Sequence, residues 1–344
     1  MLVGGKHHKT VTFTDGGLVL VNQPLLPHKF ETVTYTDYRE AARAIKTMIV
    51  RGAPAIGATA AYGMALAEIE GADMEKAAAL LKSSRPTAQD LFYAVDTVLA
   101  KISTGGSALD TAGDIALAYE RACRKIGEYG AGLIKEGMTL NTHCNAGWLA
   151  TVDWGTATAP MYVAKRKGME FSVLVDETRP RCQGSRITAF ELGEEGINHA
   201  VIADNAAGYL MSKGEIDLVI VGSDRIAANG DVANKIGTYT SALAAFENGI
   251  PFYVAAPVAT VDLECPSGDM IPIEERDGGE VACMFGADTK TGEIRSVRVA
   301  PPSSNVRNPA FDVTPARFVT GIITERGIFT PEKISEAVAQ RPRS

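Results

Sequence analysis

The feature that most restricts the fold of this chain is the alternation of short apolar segments with helical segments from residue 137 onward. Apolar runs followed by helical periodicity predict five strands, at Met138–His143, Phe171–Glu177, His199–Asp204, Ile216–Val221 and Phe252–Ala256. Strands joined by helices pair in parallel, because each helix returns the chain to the end of the sheet where the previous strand began. We therefore predict an α/β fold in which residues 131–344 form a Rossmann-like, doubly wound parallel sheet.

The first 130 residues show a different pattern. Alternating runs at Thr10–Thr14 and Leu18–Asn22 flank Asp15-Gly16-Gly17, which predicts a β-hairpin with a longer loop. Helical periodicity then covers residues 37–48, 58–69, 88–102 and 107–129. Ser84-Arg85-Pro86-Thr87 marks the start of the third of these helices. We predict an N-terminal domain of a β-hairpin and helices at residues 1–130, followed by a catalytic α/β domain at residues 131–344.

Composition excludes several classes of protein. The formal net charge is -7, so the chain has no basic face to attract nucleic acid. Its apolar runs are shorter than the roughly 20 residues that a membrane span needs. The first residues lack the apolar core of a signal peptide, and the five cysteines are too widely spaced to suggest a disulfide framework or a metal site. We expect a cytoplasmic protein with a small-molecule ligand, and no nucleic-acid or membrane partner.

Polar segments follow three of the predicted strands, and they carry the candidate chemistry: Thr142–Gly147, Asp176–Gly184 and Gly222–Arg225. If those strands are neighbours, Cys144, Gln183 and Asp224 converge at one edge of the sheet, near Asn234 and Lys235, where ligands bind in such folds. A following helix N-terminus would lower the pKa of the Cys144 thiol. A dry pocket would raise the pKa of the Asp224 carboxyl. Together they would form a proton-transfer pair.

Other interpretations of these residues remain open at this point. His143 could serve as the base of a Cys–His hydrolase, but neighbouring strand residues point to opposite faces, which favours a structural role. Asp224 could simply cap a helix. No glycine-rich dinucleotide fingerprint follows a strand, which disfavours hydride transfer. The carboxylates are too scattered to suggest a metal. The spacing alone therefore predicts a cofactor-free site for a phosphate ligand at the edge of the sheet.

A second candidate site lies at Arg51-Gly-Ala-Pro-Ala-Ile-Gly57, which leads into a helix. Proline suits the first turn of a helix. The free N–H groups of that turn attract an anion, and a guanidinium beside them is a bidentate partner for phosphate. The alternative is a tight turn between packed helices with Arg51 in solvent, and this segment alone does not distinguish the two.

Several long segments occur in the order that characterises one family: Ile49–Gly57, Ser84–Ala88, Asn141–Gly147, Asp176–Pro180 with Gln183-Gly184, Gly222–Tyr239, Asn308–Pro315 and Ile322–Gly327. Together they resemble the methylthioribose-1-phosphate isomerases, which are related to the regulatory subunits of the initiation-factor 2B nucleotide-exchange factor. The resemblance runs nearly the length of the chain. It departs at Arg181-Cys182, where two apolar residues are usual, at Gln89-Asp90, where Val-Asn is common, and at Ser185 and Ser223, which replace alanines.

The resemblance implies an aldose–ketose isomerase of methionine salvage that acts on 5-methylthioribose 1-phosphate. It makes Cys144 and Asp224 the catalytic pair, with Asp224 as general acid and Cys144 as the proton-transferring group. The residues that it assigns to substrate binding are Arg51, Gly52, Ala53, Arg85, Gln183, Asn234 and Lys235. It implies no metal or cofactor, and a homodimer.

Two alternatives follow from the same resemblance. The first is an isomerase of 5-deoxyribose 1-phosphate or ribose 1,5-bisphosphate, for which the unassigned cation Arg181 could bind the second phosphate. The second is a non-catalytic, initiation-factor 2B-like regulatory subunit on the same fold, since fold alone does not determine function. Retention of both Cys144 and Asp224 favours the enzyme, because a scaffold needs neither.

Overall fold

The computed structural model describes residues 1–85 and 88–339 of the chain. Two compact units are present: Met1–Arg124 together with Ala146–Gly155, and Lys125–Asn145 together with the chain from Thr156 onward. The first unit is therefore discontinuous in sequence. Pro86 and Thr87, which belong to the predicted helix start at Ser84–Thr87, lie outside the described residues.

The first unit contains a small amount of β structure and a layer of helices. Its strands are β1 (Leu2–Val3), β2 (Lys6–His7), β3 (Val11–Thr14), β4 (Gly17–Val21) and β5 (Thr32–Tyr35). Its helices are α1 (Tyr38–Lys46), α2 (Ala53–Glu70), α3 (Met74–Ser83), α4 (Gln89–Ile102) and α5 (Ala108–Gly130), of which α5 continues past the end of the unit. The hairpin predicted at residues 10–22 is confirmed as β3–β4. Its connection is shorter than predicted, since Thr14 pairs with Gly17.

Helix α2 is the centre of the first unit. Every side chain from Pro54 to Ala67 is buried, which matches a sequence that is apolar on all faces. Small residues let neighbouring helices approach closely. A Cβ added at Gly63 would lie 2.9 Å from Leu81 of α3, and one at Gly57 would lie 3.0 Å from the backbone oxygen of Asp90 in α4. The helix ends at Gly71, whose φ of 70° is the left-handed conformation that glycine adopts without strain.

The second unit is built on a seven-stranded sheet with the order β18-β17-β12-β9-β6-β7-β8. These strands are β6 (Thr139–Thr142), β7 (Ser172–Asp176), β8 (Asn198–Ile202), β9 (Leu218–Val221), β12 (Phe252–Ala255), β17 (Gly321–Thr324) and β18 (Gly327–Phe329). All pairs are parallel except β17–β18. The five predicted strands are all present. Strands β17 and β18 were not predicted, because Gly321–Thr324 is short and its partner follows a tight turn.

The connections of this sheet are helical. They include α6 (Ala159–Arg166), a π-helical turn (Gly184–Thr188) that leads into α7 (Ala189–Glu194), α8 (Ala206–Ser212) and α9 (Thr238–Glu247), with α10 (Gly279–Ala282) and α11 (Ile334–Ala339) later in the chain. From β6 the chain adds β7 and β8 on one side, and then returns to place β9 on the other side of β6. The direction of strand addition therefore reverses between β6 and β9.

A smaller sheet follows the end of β9. The polar segment predicted at Gly222–Arg225 leads into two further strands that the sequence did not predict, β10 (Arg225–Ala227) and β11 (Val232–Lys235). These strands join β13 (Val261–Asp262) and β16 (Phe311–Thr314) in the order β13-β10-β11-β16. Strands β14 (Cys283–Ala287) and β15 (Ile294–Arg298) form a separate hairpin. Because Asn234 and Lys235 end a strand rather than lie in a loop, their backbone is fixed by pairing with β16.

No helix in the described part of the chain combines the length and the apolar character required to cross a membrane.

Candidate active site

Cys144 and Asp224 follow the two strands between which the sheet reverses direction. Strand β6 ends at Thr142 and β9 ends at Val221, and the two strands are direct parallel neighbours. Ligands of open α/β sheets bind outside the carboxyl ends of the strands at such a reversal. Strand β7, which lies on the other side of β6, leads into the segment that carries Gln183. The three polar segments predicted to converge therefore follow three adjacent strands.

Two threonines from the segment after β7 hold the backbone of Cys144. Its N–H donates to Thr178 Oγ1 at 2.8 Å, and its carbonyl accepts from Thr188 Oγ1 at 2.7 Å. Cys144 has a φ of 68°, a left-handed conformation that costs free energy for a residue with a side chain. Such a conformation persists only where surrounding contacts enforce it, as these two threonines do. Cys144 is half-buried and forms no disulfide with another described cysteine.

The predicted cause of activation at Cys144 is not found. We expected the N-terminus of the next helix to lie beside the thiol, but the next α-helix begins only at Ala159. The residues between them include a short 3₁₀ turn, Trp148–Ala150, that belongs to the first unit. The nearby positive charge comes instead from a lysine on β11, described below.

Asp224 also differs from the prediction. Its backbone N–H donates to the carbonyl of Ala233 at 2.9 Å, which fixes the start of the β10–β11 hairpin. Asp224 is exposed, so its side chain does not lie in the dry pocket that we expected. Pairing within the small sheet directs the chain away from the carboxyl end of β9 and leaves Asp224 at the surface of the unit.

Lys235 lies beside both members of the predicted pair. Its side chain is buried, with Nζ donating to the carbonyl of Ala310 at 2.6 Å and lying 4.3 Å from the centre of the Phe311 ring. Burial, and next the positive charge of Arg276, lower the pKa of Lys235. The negative charges of Cys144, Asp224 and Glu280 act on the pKa of Lys235 in the opposite direction. One buried cation is thus within electrostatic reach of the candidate thiol and the candidate carboxyl.

Asn234 and Gln183 are the remaining predicted residues of the second unit, and both are buried. Asn234 Nδ2 donates to Thr238 Oγ1 at 3.0 Å, which links β11 to the first turn of α9. Gln183 Oε1 has no hydrogen-bond partner within residues 1–85 and 88–339. A buried amide oxygen without a partner is costly, and a ligand hydroxyl would satisfy it. Gly184 keeps this segment close to β7, since an added Cβ would lie 1.7 Å from the carbonyl oxygen of Asp176.

His143 is not a base for Cys144. Its Nδ1 lies 2.8 Å from Asp176 Oδ2, and its Nε2 lies 2.8 Å from the carbonyl oxygen of Ile236. Both ring nitrogens are therefore hydrogen-bonded to groups other than Cys144. This supports a structural role for His143 and argues against Cys–His hydrolase chemistry. The expectation that the carboxylates are too scattered for a metal is wrong in one place. His143, Asp176 and Asp204 bring ligand atoms within 4.8 Å of one another.

The residues of the predicted anion site lie at the start of α2 in the first unit. Gly52 is the residue before the helix and has a φ of 95°. An added Cβ there would lie 2.2 Å from the carbonyl oxygen of Ala150, so no side chain fits. Ala53 is the first helical residue, and its turn presents the free N–H groups that attract an anion. The half-buried Arg51 lies immediately before this turn.

Arg85, the other predicted cation of this unit, lies between α3 and α4. The contact between Gly57 of α2 and Asp90 of α4 brings the first turns of these two helices together. Arg51 and Arg85 precede the two helices, so the packing brings both guanidinium-bearing segments to the same end of the helical layer.

We predict that Gly52→Ala lowers the stability of the protein by about 2–3 kcal/mol, since it combines a disfavoured φ with a backbone clash. The matched control is Gly71→Ala, which also has a positive φ but meets no atom within 4 Å of an added Cβ. It should cost only about 1 kcal/mol. Thermal unfolding of both variants measures the difference. Equal losses would contradict the close approach of Gly52 to Ala150.

Sequence reasoning missed the residues that support the site. Thr178 and Thr188 fix Cys144, while Arg276 and Glu280 act on Lys235. Arg276 and Glu280 lie in a part of the chain without a recognisable motif. Thr178 lies within a segment that did carry the resemblance, and its position directly after a strand was a signal that could have identified it.

Comparison with known proteins decides the family. Residues 49–331 match the family model described as the initiation factor 2 subunit family. A methylthioribose-1-phosphate isomerase of Methylobacterium nodulans is 51% identical over 346 residues, which cover 95% of this chain and 95% of that relative. The chain belongs to the methylthioribose-1-phosphate isomerase family. The resemblance inferred from the ordered motifs is confirmed.

Solved structures agree with this assignment. A 5-methylthioribose 1-phosphate isomerase from Pyrococcus horikoshii OT3 matches with a TM-score of 0.87 and 41% identity, over 97% of this chain and 96% of that chain. A structure described as translation initiation factor eIF-2B, subunit delta, from A. fulgidus matches with a TM-score of 0.83 and 42% identity, over 95% and 97% of the two chains. The predicted fold class, an N-terminal hairpin with helices and a mostly parallel sheet, is confirmed.

Proposed function

We propose that this chain is an aldose–ketose isomerase that converts 5-methylthioribose 1-phosphate to 5-methylthioribulose 1-phosphate. The observation that carries the proposal is the arrangement of Cys144 and Asp224 after adjacent central strands, with buried Lys235 within reach of both. Family membership supplies the substrate class. In the second unit, Gln183, Asn234 and Lys235 would bind the sugar phosphate. In the first unit, Arg51, Gly52, Ala53 and Arg85 would bind an anionic group of the substrate.

The first chemical step must open the sugar ring. The C1 oxygen of the substrate is phosphorylated, so C1 is locked in a hemiacetal-like form and no free aldehyde is available. In our proposal Asp224 is protonated and donates to the ring oxygen. The bond between C1 and the ring oxygen then breaks, which leaves C1 electron-poor and the former ring oxygen as a hydroxyl.

The second step moves hydrogen from C2 to C1. The Cys144 thiolate removes the C2 proton, and the electrons of that C–H bond form a C1=C2 double bond that neutralises C1. The thiol then returns a proton to C1, while the hydroxyl at C2 gives its proton to the Asp224 carboxylate and becomes the ketone. Every proton taken is returned, so no cofactor or co-reactant is required. Lys235 would stabilise the thiolate, because an adjacent cation favours the charged form.

A direct hydride shift from C2 to C1 is the alternative for this step. Substrate labelled with deuterium at C2 distinguishes the routes. Complete retention of the label at C1 would favour the hydride shift, and any exchange with solvent during turnover would establish proton transfer through the thiol.

One ion pair favours the methylthio substrate over ribose 1,5-bisphosphate. Arg181 was the unassigned cation that could bind a second phosphate. Its Nη1 donates to Glu280 Oε1 at 2.7 Å, and Glu280 Oε2 also accepts from Asn308 Nδ2 at 3.1 Å. A guanidinium already paired with a held carboxylate offers little net positive charge to a phosphate. This pairing supports the methylthio substrate over the bisphosphate.

We expect the purified protein to turn over 5-methylthioribose 1-phosphate with a higher kcat/KM than ribose 1,5-bisphosphate. Preference over 5-deoxyribose 1-phosphate should be modest, since a missing apolar group is worth only about 1–3 kcal/mol. In Glu280→Gln, relative activity on the bisphosphate should rise about tenfold, because Arg181 is no longer neutralised. Glu293→Gln, which breaks a pair with Arg295 on β15, is the control. A wild-type preference for the bisphosphate would contradict this assignment.

The second candidate function is a regulatory subunit without activity. It is favoured by the match to the A. fulgidus protein that is described as an initiation-factor subunit. If 5-methylthioribose 1-phosphate, 5-deoxyribose 1-phosphate and ribose 1,5-bisphosphate all failed to react, the isomerase proposal would be wrong and the regulatory role would be favoured. Turnover that depends on Cys144 would exclude a purely regulatory role.

The proposal places the reaction in methionine salvage, in the cytoplasm and in a homodimer. Sedimentation of the purified protein tests the assembly, and a single species with the mass of one chain would contradict it.

A further inference from the structure

We propose that His143 is a positioning residue: a buried imidazolium, directly before Cys144, that ties the end of β6 to the segment carrying Asn234 and Lys235. Both of its ring nitrogens are hydrogen-bonded to groups other than the thiol. Its two hydrogen bonds instead reach two different elements of the second unit. The claim that this bridge positions catalytic groups rests on the proposed function. The bridge itself is a feature of the fold and does not depend on that function.

The first hydrogen bond joins β6 to β7. His143 Nδ1 lies 2.8 Å from Asp176 Oδ2, and the side chains of both residues are only 2% exposed. The other carboxylate oxygen of Asp176 accepts from Asn141 Nδ2 at 2.9 Å. Asp176 is thus held from two directions by residues on β6, and the orientation of the ring is fixed.

The second hydrogen bond joins β6 to the end of β11. His143 Nε2 lies 2.8 Å from the carbonyl oxygen of Ile236, the residue directly after Lys235. The next residue, Gly237, has a φ of 102°, and an added Cβ would lie 2.7 Å from His143 Cε1. The ring therefore occupies the space that any side chain at Gly237 would need. The turn between β11 and α9 is shaped around this histidine.

The chemistry of the two partners sets the protonation of the ring. A carbonyl oxygen can only accept, so Nε2 must donate to Ile236. Asp176 has a lower ordinary pKa than histidine, so in the shared hydrogen bond the proton belongs on Nδ1. A neutral ring has one N–H and cannot donate twice. With Asp176 ionised, only the imidazolium satisfies both partners. Burial raises the pKa of Asp176, while its hydrogen bonds from His143 and Asn141 favour the carboxylate.

The charges around the ring agree with this state. Asp176 on β7, Asp204 after β8 and Asp312 on β16 face it, and all three are carboxylates. Burial alone would lower the pKa of His143, but the hydrogen bond and charge of Asp176 together with the Ile236 carbonyl raise it above its ordinary value. A raised folded pKa means that the bridge is complete below the ordinary histidine pKa of roughly 6.5. The bridge is lost as the pH rises through the folded value.

The same geometry explains why the cluster with Asp204 is not assigned to a metal. A ligating histidine must present a lone pair, whereas both nitrogens of His143 face acceptors. Asp204 accepts the backbone N–H groups of Thr178 and Arg179 at 2.6 and 2.7 Å. The cluster is organised to hold a cation of its own, the imidazolium, and to order the segment after β7.

The direct test is NMR of protein labelled with ¹⁵N in histidine, titrated without substrate from below to above the ordinary histidine pKa of roughly 6.5. We expect His143, assigned by the loss of its signals in His143→Gln, to keep protons on both nitrogens to a higher pH than an ordinary histidine does. An unprotonated Nδ1 or Nε2 at a pH of roughly 6.5 or below would overturn the imidazolium. This measurement does not depend on turnover, so its result does not depend on whether the proposed function is right.

The positioning role is tested with Asp176→Asn, which leaves His143 in place. An amide carries no charge to stabilise the imidazolium, so the pKa of His143 falls and the charge-assisted bond to residue 176 is replaced by a weaker contact between a neutral ring and the amide. We expect kcat/KM at about pH 7 to fall about 100-fold through misplacement of Lys235 and Cys144. Activity should partly recover as the pH falls and the ring is protonated again. A merely structural role would lower stability without this recovery.

The control is His199→Gln, which alters another histidine of the same sheet whose Nδ1 contacts the carbonyl of Ile197. It should leave kcat/KM close to wild type. The rate of Cys144 alkylation by iodoacetamide provides a readout that needs no substrate. It should slow several-fold in Asp176→Asn, while alkylation of Cys283 stays the same. Wild-type turnover and alkylation in Asp176→Asn would overturn the positioning role even if the imidazolium is present.

Discussion

Cys144→Ser should lower kcat by about 10³-fold or more, because serine cannot form the thiolate that removes the C2 proton. Serine keeps the Cβ and the size of the residue, so the left-handed backbone at this position is equally strained in both proteins. The hydrogen bonds from Cys144 to Thr178 and Thr188 involve only its backbone and are retained. The expected result is therefore a folded protein with almost no turnover, measured with 5-methylthioribose 1-phosphate.

Cys283→Ser is the matched control for this change. Cys283 is half-buried like Cys144, but it lies at the start of the β14–β15 hairpin. Its replacement should leave kcat and KM near their wild-type values. If Cys144→Ser retained wild-type turnover, the thiol would have no part in the reaction, and the mechanism proposed for the second step would be wrong.

Asp224→Asn should lower kcat by about 10²–10³-fold, since an amide cannot protonate the ring oxygen. KM should change less, because the amide keeps the shape of the carboxyl group and can still accept a hydrogen bond. The backbone bond from Asp224 to Ala233 does not involve the side chain, so the β10–β11 hairpin should remain. Steady-state kinetics across a range of pH separates the loss of an acid from a loss of binding.

Asp217→Asn is the corresponding control, because Asp217 is also exposed and lies just before the other end of β9. Its carboxylate accepts the backbone N–H of Thr139, so a small loss of stability is expected without a loss of kcat. Equal losses of kcat in the two variants would point to a general effect of charge rather than to acid catalysis by Asp224.

Local pattern was sufficient to predict the elements of the sheet but not their order. Strands β9 and β12 are continuous apolar runs and β7 is mostly apolar, as expected for strands near the centre of a parallel sheet. Strand β6 contains two threonines and an asparagine, and the edge strand β8 is largely exposed. Pairing of β6 with β9 joins residues far apart in sequence, and no local signal encodes it. From the sequence, the proximity of Cys144 and Asp224 therefore depended on the assumption that β6 and β9 are neighbours. The two strands are paired in the structure.

The electrostatic setting of the site was the least predictable part. We placed a helix N-terminus beside Cys144 and a dry pocket around Asp224, by analogy with ordinary βα units. The chain departs from such a unit directly after β6, and it forms an extra hairpin directly after β9. The charge beside the thiol comes from Lys235, and Lys235 is placed by pairing between β11 and β16. Such long-range pairing depends on residues beyond position 300, which a motif-by-motif analysis treats separately.

The discontinuity of the first unit limits how this protein can be divided. Residues 146–155 contribute the fully buried Trp148 to that unit, and the carbonyl of Trp148 accepts from Thr10 Oγ1 at 2.7 Å. Asp153, from the same segment, pairs with the N-terminal amine of Met1 and with His7. A fragment cut after α5 would omit all of these contacts. Recombination between homologues must therefore exchange residues 146–155 together with residues 1–124, because both pieces belong to the first unit.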